Sequence, residues 1–519
     1  MKVSFIVISA LGLVRREMLR LLVLVATGLW ALYTRWKRRR IHRVCKEVPF
    51  CGLPGLPLIG QAHLFAGNDE DRMKLLQKLG KIAVKHGGMT SVWMLNKLYV
   101  VIADPAIAEV VLKSCLDKDD TTMKFVRNLV GNGNFVAPVS IWRPRRKILA
   151  PIFSIKNLNC FVPIFAQQSE IMVQQLAKEA GNGDFSFWKY ITTYTFDAIC
   201  KTSLGVDLNS QQQSNHPFLE AFETALHLLS ERLLCPWLYL DCVYERLSRH
   251  KTFVAKKDFM YRFVDELIKK KREELSTRDT NGMNGMKSEM RTFLEMLLES
   301  SGGHQGYSDI ELREEVLVIV LAGTDTSAVG AAYTAVMLSR YPEVQEKVYQ
   351  ELQEVFGDSD RPATAQDLPR LKYLEAVIKE TLRTYPAVPV VVREVLNDVK
   401  LPNGKKLVNG VGVVVSFCAI HRHPAYWGAD ADVFRPERFL EGPLKHPAQF
   451  MPFSYSFRNC VGSTYAMMSM KTVLSALVRR YRLRPAALEL RPTFNVMMKD
   501  GSGYALGIQR RRTFGDKLI

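Results

Sequence analysis

The chain has 519 residues, 47% hydrophobic and 24% charged, a composition that supports a large buried core and excludes a disordered or low-complexity protein. Its nine cysteines, at 45, 51, 115, 160, 200, 235, 242, 418 and 460, are scattered, odd in number and free of Cys-x-x-Cys pairs, which argues against a disulfide framework or structural zinc site and for a reducing environment. The net charge of +19 gathers at one end, where residues 1–44 hold ten bases and one acid, a balance of +9; these bases flank apolar stretches instead of interleaving with aromatics, so no nucleic-acid partner is expected.

Two apolar runs open the chain, Val3–Val14 and Leu21–Thr34, and neither reaches the ~20 apolar residues that span a bilayer. The second, extended by Met18, Leu19 and a snorkelling Arg20, spans with some strain, and Trp30, Tyr33 and Trp36 suit an interface. Residues 1–34 are therefore expected to be an N-terminal membrane anchor. Residues 35–60 read as a basic stop-transfer block and a stiff hinge built on Pro49, Pro54 and Pro57, and 61–519 as one large domain. A cleaved signal peptide and an Arg-rich mitochondrial presequence are the alternatives. Beyond the hinge, alternation over Thr90–Ile102 reads as β structure, helical patterns dominate thereafter, and Pro389–Val395 and Val411–Cys418 are short strand-like runs. The fold class is mainly α with a smaller β portion.

Three segments carry chemistry. A long helix is predicted from Ser308, whose Ser308-Asp309-Ile310-Glu311 has capping-box form, to Pro342, which cannot continue it. Within it Ala322-Gly323-Thr324-Asp325-Thr326-Ser327 places small residues where a flat ligand could lie against the backbone, and Thr326 can bond the carbonyl of Ala322 and loosen the helix. Further on, Glu380 and Arg383 are spaced i,i+3 on a helix, a pair that is ordinarily a solvated contact worth ~0.2–0.5 kcal/mol. Last comes Pro452-Phe453-Ser454-Tyr455-Ser456-Phe457-Arg458-Asn459-Cys460-Val461-Gly462, followed by apolar residues at helical spacing. Cys460 thus precedes a helix N-terminus, whose free N–H groups and partial positive charge favour an anionic sulfur. Gly462 permits close approach of a flat ligand, and Arg458 suits a carboxylate at that ligand's edge.

That last segment resembles the haem-binding signature of the cytochrome P450 superfamily, Phe-x-x-Gly-x-Arg-x-Cys-x-Gly. Phe453, Arg458, Cys460 and Gly462 match; Ser456 stands where the pattern has glycine, a costly exchange if the position needs positive φ. Ala322–Ser327 is similar to the superfamily's oxygen-activation motif, and Glu380 and Arg383 with Arg438 are similar to its Glu-x-x-Arg/Arg triad. Trp142 and Arg146 resemble its Trp-x-x-x-Arg motif. The likeness spans residues 142–462, in the family's order. Gly205-Val206, Pro236-Trp237-Leu238 and Pro342–Phe356 look most like the family 4 group of animal P450s, particularly arthropod ones.

The resemblance implies a cytochrome P450 fold and a haem-thiolate monooxygenase with Cys460 as the iron ligand. It implies Trp142, Arg146, Ala322, Arg393, Phe453, Arg458 and Gly462 around the haem, and Asp325 and Thr326 governing proton delivery. Glu380, Arg383 and Arg438 would form a structural lock. Many family 4 members carry, at the position of Ala322, a glutamate that esterifies the haem, so haem b is expected here without a covalent bond. Electrons would come from NADPH through NADPH-cytochrome P450 reductase, with cytochrome b5 as a second donor, at the endoplasmic reticulum membrane or alternatively in mitochondria. The substrate would be a lipophilic small molecule in a pocket lined from 121–140, 228–244, 318–326, 387–392 and 496–504, with Leu233–Leu238 dipping into the membrane. A haem-thiolate isomerase and a non-catalytic haem or lipid carrier are the competing readings.

Overall fold

The computed structural model describes residues 17–18, 20–33, 35–36, 39, 41, 48–213, 216–280, 291–300 and 307–511. Of the two apolar runs, Val3–Val14 lies outside the described residues. The other forms a helix over Arg20–Tyr33, and its Leu21, Leu22, Leu24 and Leu29 are 62–68% exposed.

The proline-rich segment is tied to the sheet at its start and its end. Ser91 N–H donates to the Pro49 carbonyl (2.8 Å), Cys51 N–H donates to the Ser91 carbonyl (3.0 Å), and Gly60 bridges to Met94. The segment is docked along the first strand as a short edge, the one place in a sheet that tolerates a residue without an N–H.

The elements that position the site are α1 (Asp69–Lys85), β1 (Met89–Met94), β2 (Lys97–Ile102), α2 (Pro105–Ser114), α3 (Asp120–Val130), α4 (Val139–Ile152), α5 (Trp188–Leu204), α6 (Pro217–Leu234), α7 (Asp309–Arg340), α8 (Lys372–Thr384), β3 (Val390–Glu394), β4 (Gly412–Ser416), α9 (Ser463–Arg480), β5 (Pro492–Asn495) and β6 (Met497–Asp500). The β structure expected from the alternation of 90–102 is present, and strands β1 and β2 pair as a hairpin in the register Met89↔Ile102. The sheet continues in the order β1-β2-β4-β3, with β4 parallel to β2 and antiparallel to β3. Helices dominate the rest, as the class reading expected.

Helix α7 is the axis of the fold. Its capping box forms: Glu311 N–H donates to Ser308 Oγ (3.3 Å) and Ser308 N–H to Glu311 Oε2 (3.0 Å). At 32 residues it is about 48 Å long. By length and composition it could cross a membrane, but 78% of its apolar window is buried within the protein, which makes it a core helix. Glycines let neighbouring helices close on it. A Cβ at Gly323 would lie 2.7 Å from Ile199 of α5, and one at Gly330 would lie 2.7 Å from Met470 Sδ of α9. Gly323 therefore serves packing against α5, not the approach of a flat ligand expected from its sequence.

Candidate active site

Two halves of the site are built on α7 and on the loop before α9. In the loop, Cys460 N–H donates to the Phe453 carbonyl (2.8 Å), Asn459 N–H to the Ser456 carbonyl (3.1 Å), and Ser454 N–H to the Met451 carbonyl (3.0 Å). This tight winding forces two residues into the left-handed region: Ser454 at φ 62° and Ser456 at φ 65°. Position 456 thus has the backbone that favours glycine, and the serine holds it at a cost.

Cys460 lies two residues before Gly462, the N-cap of α9, and the Gly462 N–H hydrogen-bonds its sulfur. The cysteine is exposed by surface area yet enclosed by protein, so it faces an internal space instead of bulk water. Burial pushes its thiol up, outweighing the Gly462 N–H and the nearby Arg146 and Lys118 charges that pull it down. The Gly462 N–H favours an anionic sulfur, in the direction the helix start led one to expect, but burial outweighs it, and coordination to a metal would favour loss of the proton. At Gly462 a Cβ would meet only Phe153 and Cys460 at 3.8 and 3.9 Å, so no protein neighbour demands the glycine and the space in front of it suits a flat group.

Around this loop lie cations without counter-ions. Arg458 is buried with its Cζ 4.5 Å from the centre of the Trp142 ring; one end of its guanidinium bonds the Ala137 carbonyl, while Nε and Nη1 have no partner. Arg393, on β3 and 2% exposed, bonds the Val392 carbonyl and leaves Nε unpartnered. Burial pushes each of these guanidinium groups down to about 10. Lys118, in the segment between α2 and α3, is pushed well below its ordinary value, first by burial and then by Arg393 and Arg458. Its ammonium sits 3.4 Å from the Phe135 ring centre, and among the described residues none of the three forms an ion pair. Arg146 donates to Asn459 Oδ1 (2.7 Å), beside the cysteine. Buried unpaired cations are expensive unless a ligand supplies the anions. Two carboxylates on the edge of a flat ring would do so, so these residues fit a haem with its propionates.

Sequence reading singled out Trp142, Arg146, Arg393 and Arg458 but missed Lys118. Flanked by Asp117, Asp119 and Asp120, it reads as part of a solvated charge run. Arg145, between two arginines of the same run, turns the other way and pairs with Glu311, Glu314 and Glu315 of α7 at 2.9–3.4 Å.

On α7, Thr326 Oγ1 donates to the Ala322 carbonyl at 2.6 Å, the back-bond expected from the sequence. Ala322, Asp325 and Thr326 line a cavity of about 750 Å³ together with Lys118, Arg393 and apolar side chains such as Val391 and Leu233. All five segments expected to line it contribute, and α1, β1 and β2 add Leu76, Leu79, Val92 and Val101, which the sequence did not point to. Lys118 lines this cavity and feels the charge of Cys460, which links the cysteine loop to the cavity wall.

The Glu380–Arg383 pair is no surface contact. Both residues are fully buried, joined in a two-pronged bond at 2.7 and 2.8 Å, and Arg438 Nε reaches Glu380 Oε1 at 3.0 Å. Arg383 also donates to the His421 carbonyl (2.8 Å), and His421 Nε2 accepts the Met451 N–H (2.9 Å). Burial and the neighbouring arginines push His421 down to about 3, so it is neutral and available as an acceptor. The lock is thereby tied to the start of the cysteine loop through a histidine not singled out in the sequence.

Comparisons with known proteins agree with this geometry. The cytochrome P450 family profile matches residues 51–504. Cytochrome P450 4d2 of Drosophila melanogaster is 33% identical over 477 residues, 88% of this chain and 94% of that protein. Cytochrome P450 4c21 of Blattella germanica is 32% identical over 474 residues, 90% and 93% of the two chains. Cytochrome P450 4V2 of Homo sapiens is 32% identical over 436 residues, 82% of each. The match runs from the edge docked on β1 to just past the β5–β6 hairpin, and with it the chain belongs to the cytochrome P450 family, the haem-thiolate monooxygenases, and is most like its family 4.

Proposed function

We propose that this protein inserts one oxygen atom from O2 into a lipophilic substrate, taking two electrons from NADPH through NADPH-cytochrome P450 reductase, with cytochrome b5 as a second donor. The other oxygen atom leaves as water with two protons. The observation that carries the reading is one largely apolar cavity lined by Lys118, Arg393 and the loosened turn Ala322–Thr326, with Cys460 and the unpaired Arg458 close enough for their charges to act on Lys118.

Bound haem would supply the reduction and splitting of dioxygen. The chain's own residues do the rest. Cys460 would ligate the iron through its sulfur, with the Gly462 N–H steadying that charge. Arg393, Arg458, Arg146 and Lys118 would neutralise the propionates, with Trp142 packed against Arg458; the Phe453 carbonyl accepts the Cys460 N–H and closes the loop. Thr326 and Asp325 hold and move protons beside Ala322. Glu380, Arg383 and Arg438 hold the surrounding backbone. Ala322 presents a methyl and no carboxylate, so the haem is held without an ester bond.

Residues 1–34 anchor the domain, which occupies the cytosolic side of the endoplasmic reticulum membrane. The exposed apolar side chains of the Arg20–Tyr33 helix support this, as do Trp237, Leu240 and Val243, exposed at 42–62% in the same stretch of chain as the cavity-lining Pro236 and Tyr239.

The test is the reduced carbon-monoxide difference spectrum of the parent and of Cys460→Ser, then turnover with and without reductase. A parent-like spectrum from the serine variant refutes the ligand assignment; reductase-independent turnover favours an isomerase. Haem that stays on the polypeptide after acid-acetone extraction refutes the non-covalent reading.

A further inference from the structure

The carboxylate assigned to proton delivery is not free. Asp325 Oδ2 is held by the ammonium of Lys499 at 2.8 Å. Lys499 comes from the far end of the chain, on β6, opposite Thr493 of β5. Its backbone is clamped independently of its side chain: Tyr333 Oη donates to the Lys499 carbonyl at 2.9 Å, and Thr493 Oγ1 donates to the same oxygen at 3.0 Å. Tyr333 lies two turns beyond Asp325 on α7. The hairpin is thus pinned to the central helix at two points, once through the lysine's carbonyl and once through its charge. The ammonium also sits 4.8 Å from the Trp188 ring centre of α5.

A second carboxylate looks onto the same ammonium. Glu223 of α6 lines the cavity with Asp325 and Lys499, and its carboxyl is raised first by burial and then by the charge of Asp325, while Lys499 pulls it down. Lys499 therefore acts on two acids, on Asp325 by a direct ion pair and on Glu223 through space. Without it, the like charges of Glu223 and Asp325 would repel unopposed, and the Asp325 side chain would turn away from its present place.

We propose that Lys499 is a positioning residue for oxygen activation: its ammonium holds Asp325 in place beside Thr326, and the ion pair keeps proton delivery matched to electron delivery. Lys499 itself ends each turnover with the protons it started with; the two protons that leave in water come from solvent through the acid–hydroxyl pair. The inference rests on the roles proposed above for Asp325 and Thr326.

The experiment uses the full chain with haem and reductase, and compares Lys499→Met, Lys499→Arg, Asp325→Asn and the Asp325→Asn/Lys499→Met double variant. The probe is the one of dodecanoic acid, 7-ethoxycoumarin and farnesol that the parent oxidises fastest. The expected result is a carbon-monoxide spectrum like the parent's in all four, and at least threefold more hydrogen peroxide per NADPH in Lys499→Met. Lys499→Arg should return to within twofold of the parent, and the double variant should be no worse than Asp325→Asn alone. Parent-like peroxide release from Lys499→Met, a change confined to half-saturation by the probe, or additive effects in the double variant would each overturn the inference. A parent that binds haem but oxidises no probe counts against the proposed function instead. The same four proteins then test the ion pair through thermal unfolding, where strictly additive shifts overturn it and a smaller shift in the double variant upholds it.

Discussion

Replacing Ser456 by glycine should make the cysteine loop hold its haem more firmly. Ser456 sits at φ 65°, in the left-handed region where a side chain costs about 1–2 kcal/mol. Glycine removes that strain but brings a more flexible unfolded chain, an offset of roughly 0.4–1 kcal/mol. The balance is about 0.5–1 kcal/mol in favour of Ser456→Gly, or roughly a two- to fivefold change in the equilibrium between the wound and opened loop. No hydrogen bond of the Ser456 side chain offsets this among those of the described residues. The assay is the rate at which the thiolate-type carbon-monoxide band converts to the inactive form in mild guanidinium, for the parent, Ser456→Gly and Ser456→Ala. Glycine should slow the conversion two- to fivefold, and alanine, which keeps the strain, should not. Equal rates for glycine and alanine would refute the reasoning, because both remove the hydroxyl and only one removes the strain. Ser454, at φ 62° with a buried, unpartnered hydroxyl, is close enough to couple, so the pair need not be additive.

Arg393→Met should have opposite effects with and without haem. Removing a buried cation with an unpartnered Nε should raise the thermal midpoint of the haem-free chain while weakening haem uptake at least tenfold, read by titration of the Soret band; weakened uptake with a lowered midpoint would contradict the unpaired-cation argument. Glu315, buried on α7, accepts the Asn134 N–H (3.0 Å) and lies by Arg145, and burial raises its carboxyl to about 7. Because the folded form holds the proton more tightly than the unfolded form, this group's contribution is complete below about pH 4.5 and is lost as pH rises through about 7, at most about 3 kcal/mol. Glu315→Gln should flatten the fall in thermal stability between pH 5 and 7, and an unchanged slope would assign that fall to other groups. His421→Phe leaves the Met451 N–H unpaired in a buried place at a cost of about 1–3 kcal/mol. It should accelerate haem loss, and retention at the parent's rate would show that the histidine does not steady the loop.

Features that depend on neighbours in the chain were legible in the sequence. A capping box, an i,i−4 back-bond from Thr326 to Ala322, β structure over 90–102 and a cysteine placed just before a helix all arise from spacing of a few residues, and each is where the pattern put it. The reservation about Ser456 was of the same kind, since a turn that tight sets its own φ. What depends on burial and on distant chain segments was not legible. The Glu380–Arg383 spacing is that of a surface pair, and its weight comes from full burial and from Arg438, 58 residues away. Lys118, set among aspartates in the sequence, lines the cavity within reach of the Arg393 and Arg458 charges, and burial pushes the thiol of Cys460 up despite the Gly462 N–H. Gly323 spares room for Ile199, and Lys499 finds Asp325 across 174 residues of chain. Charges act through space and dielectric, not along the sequence, so the pairing of the site's cations and acids had to wait for the packed fold.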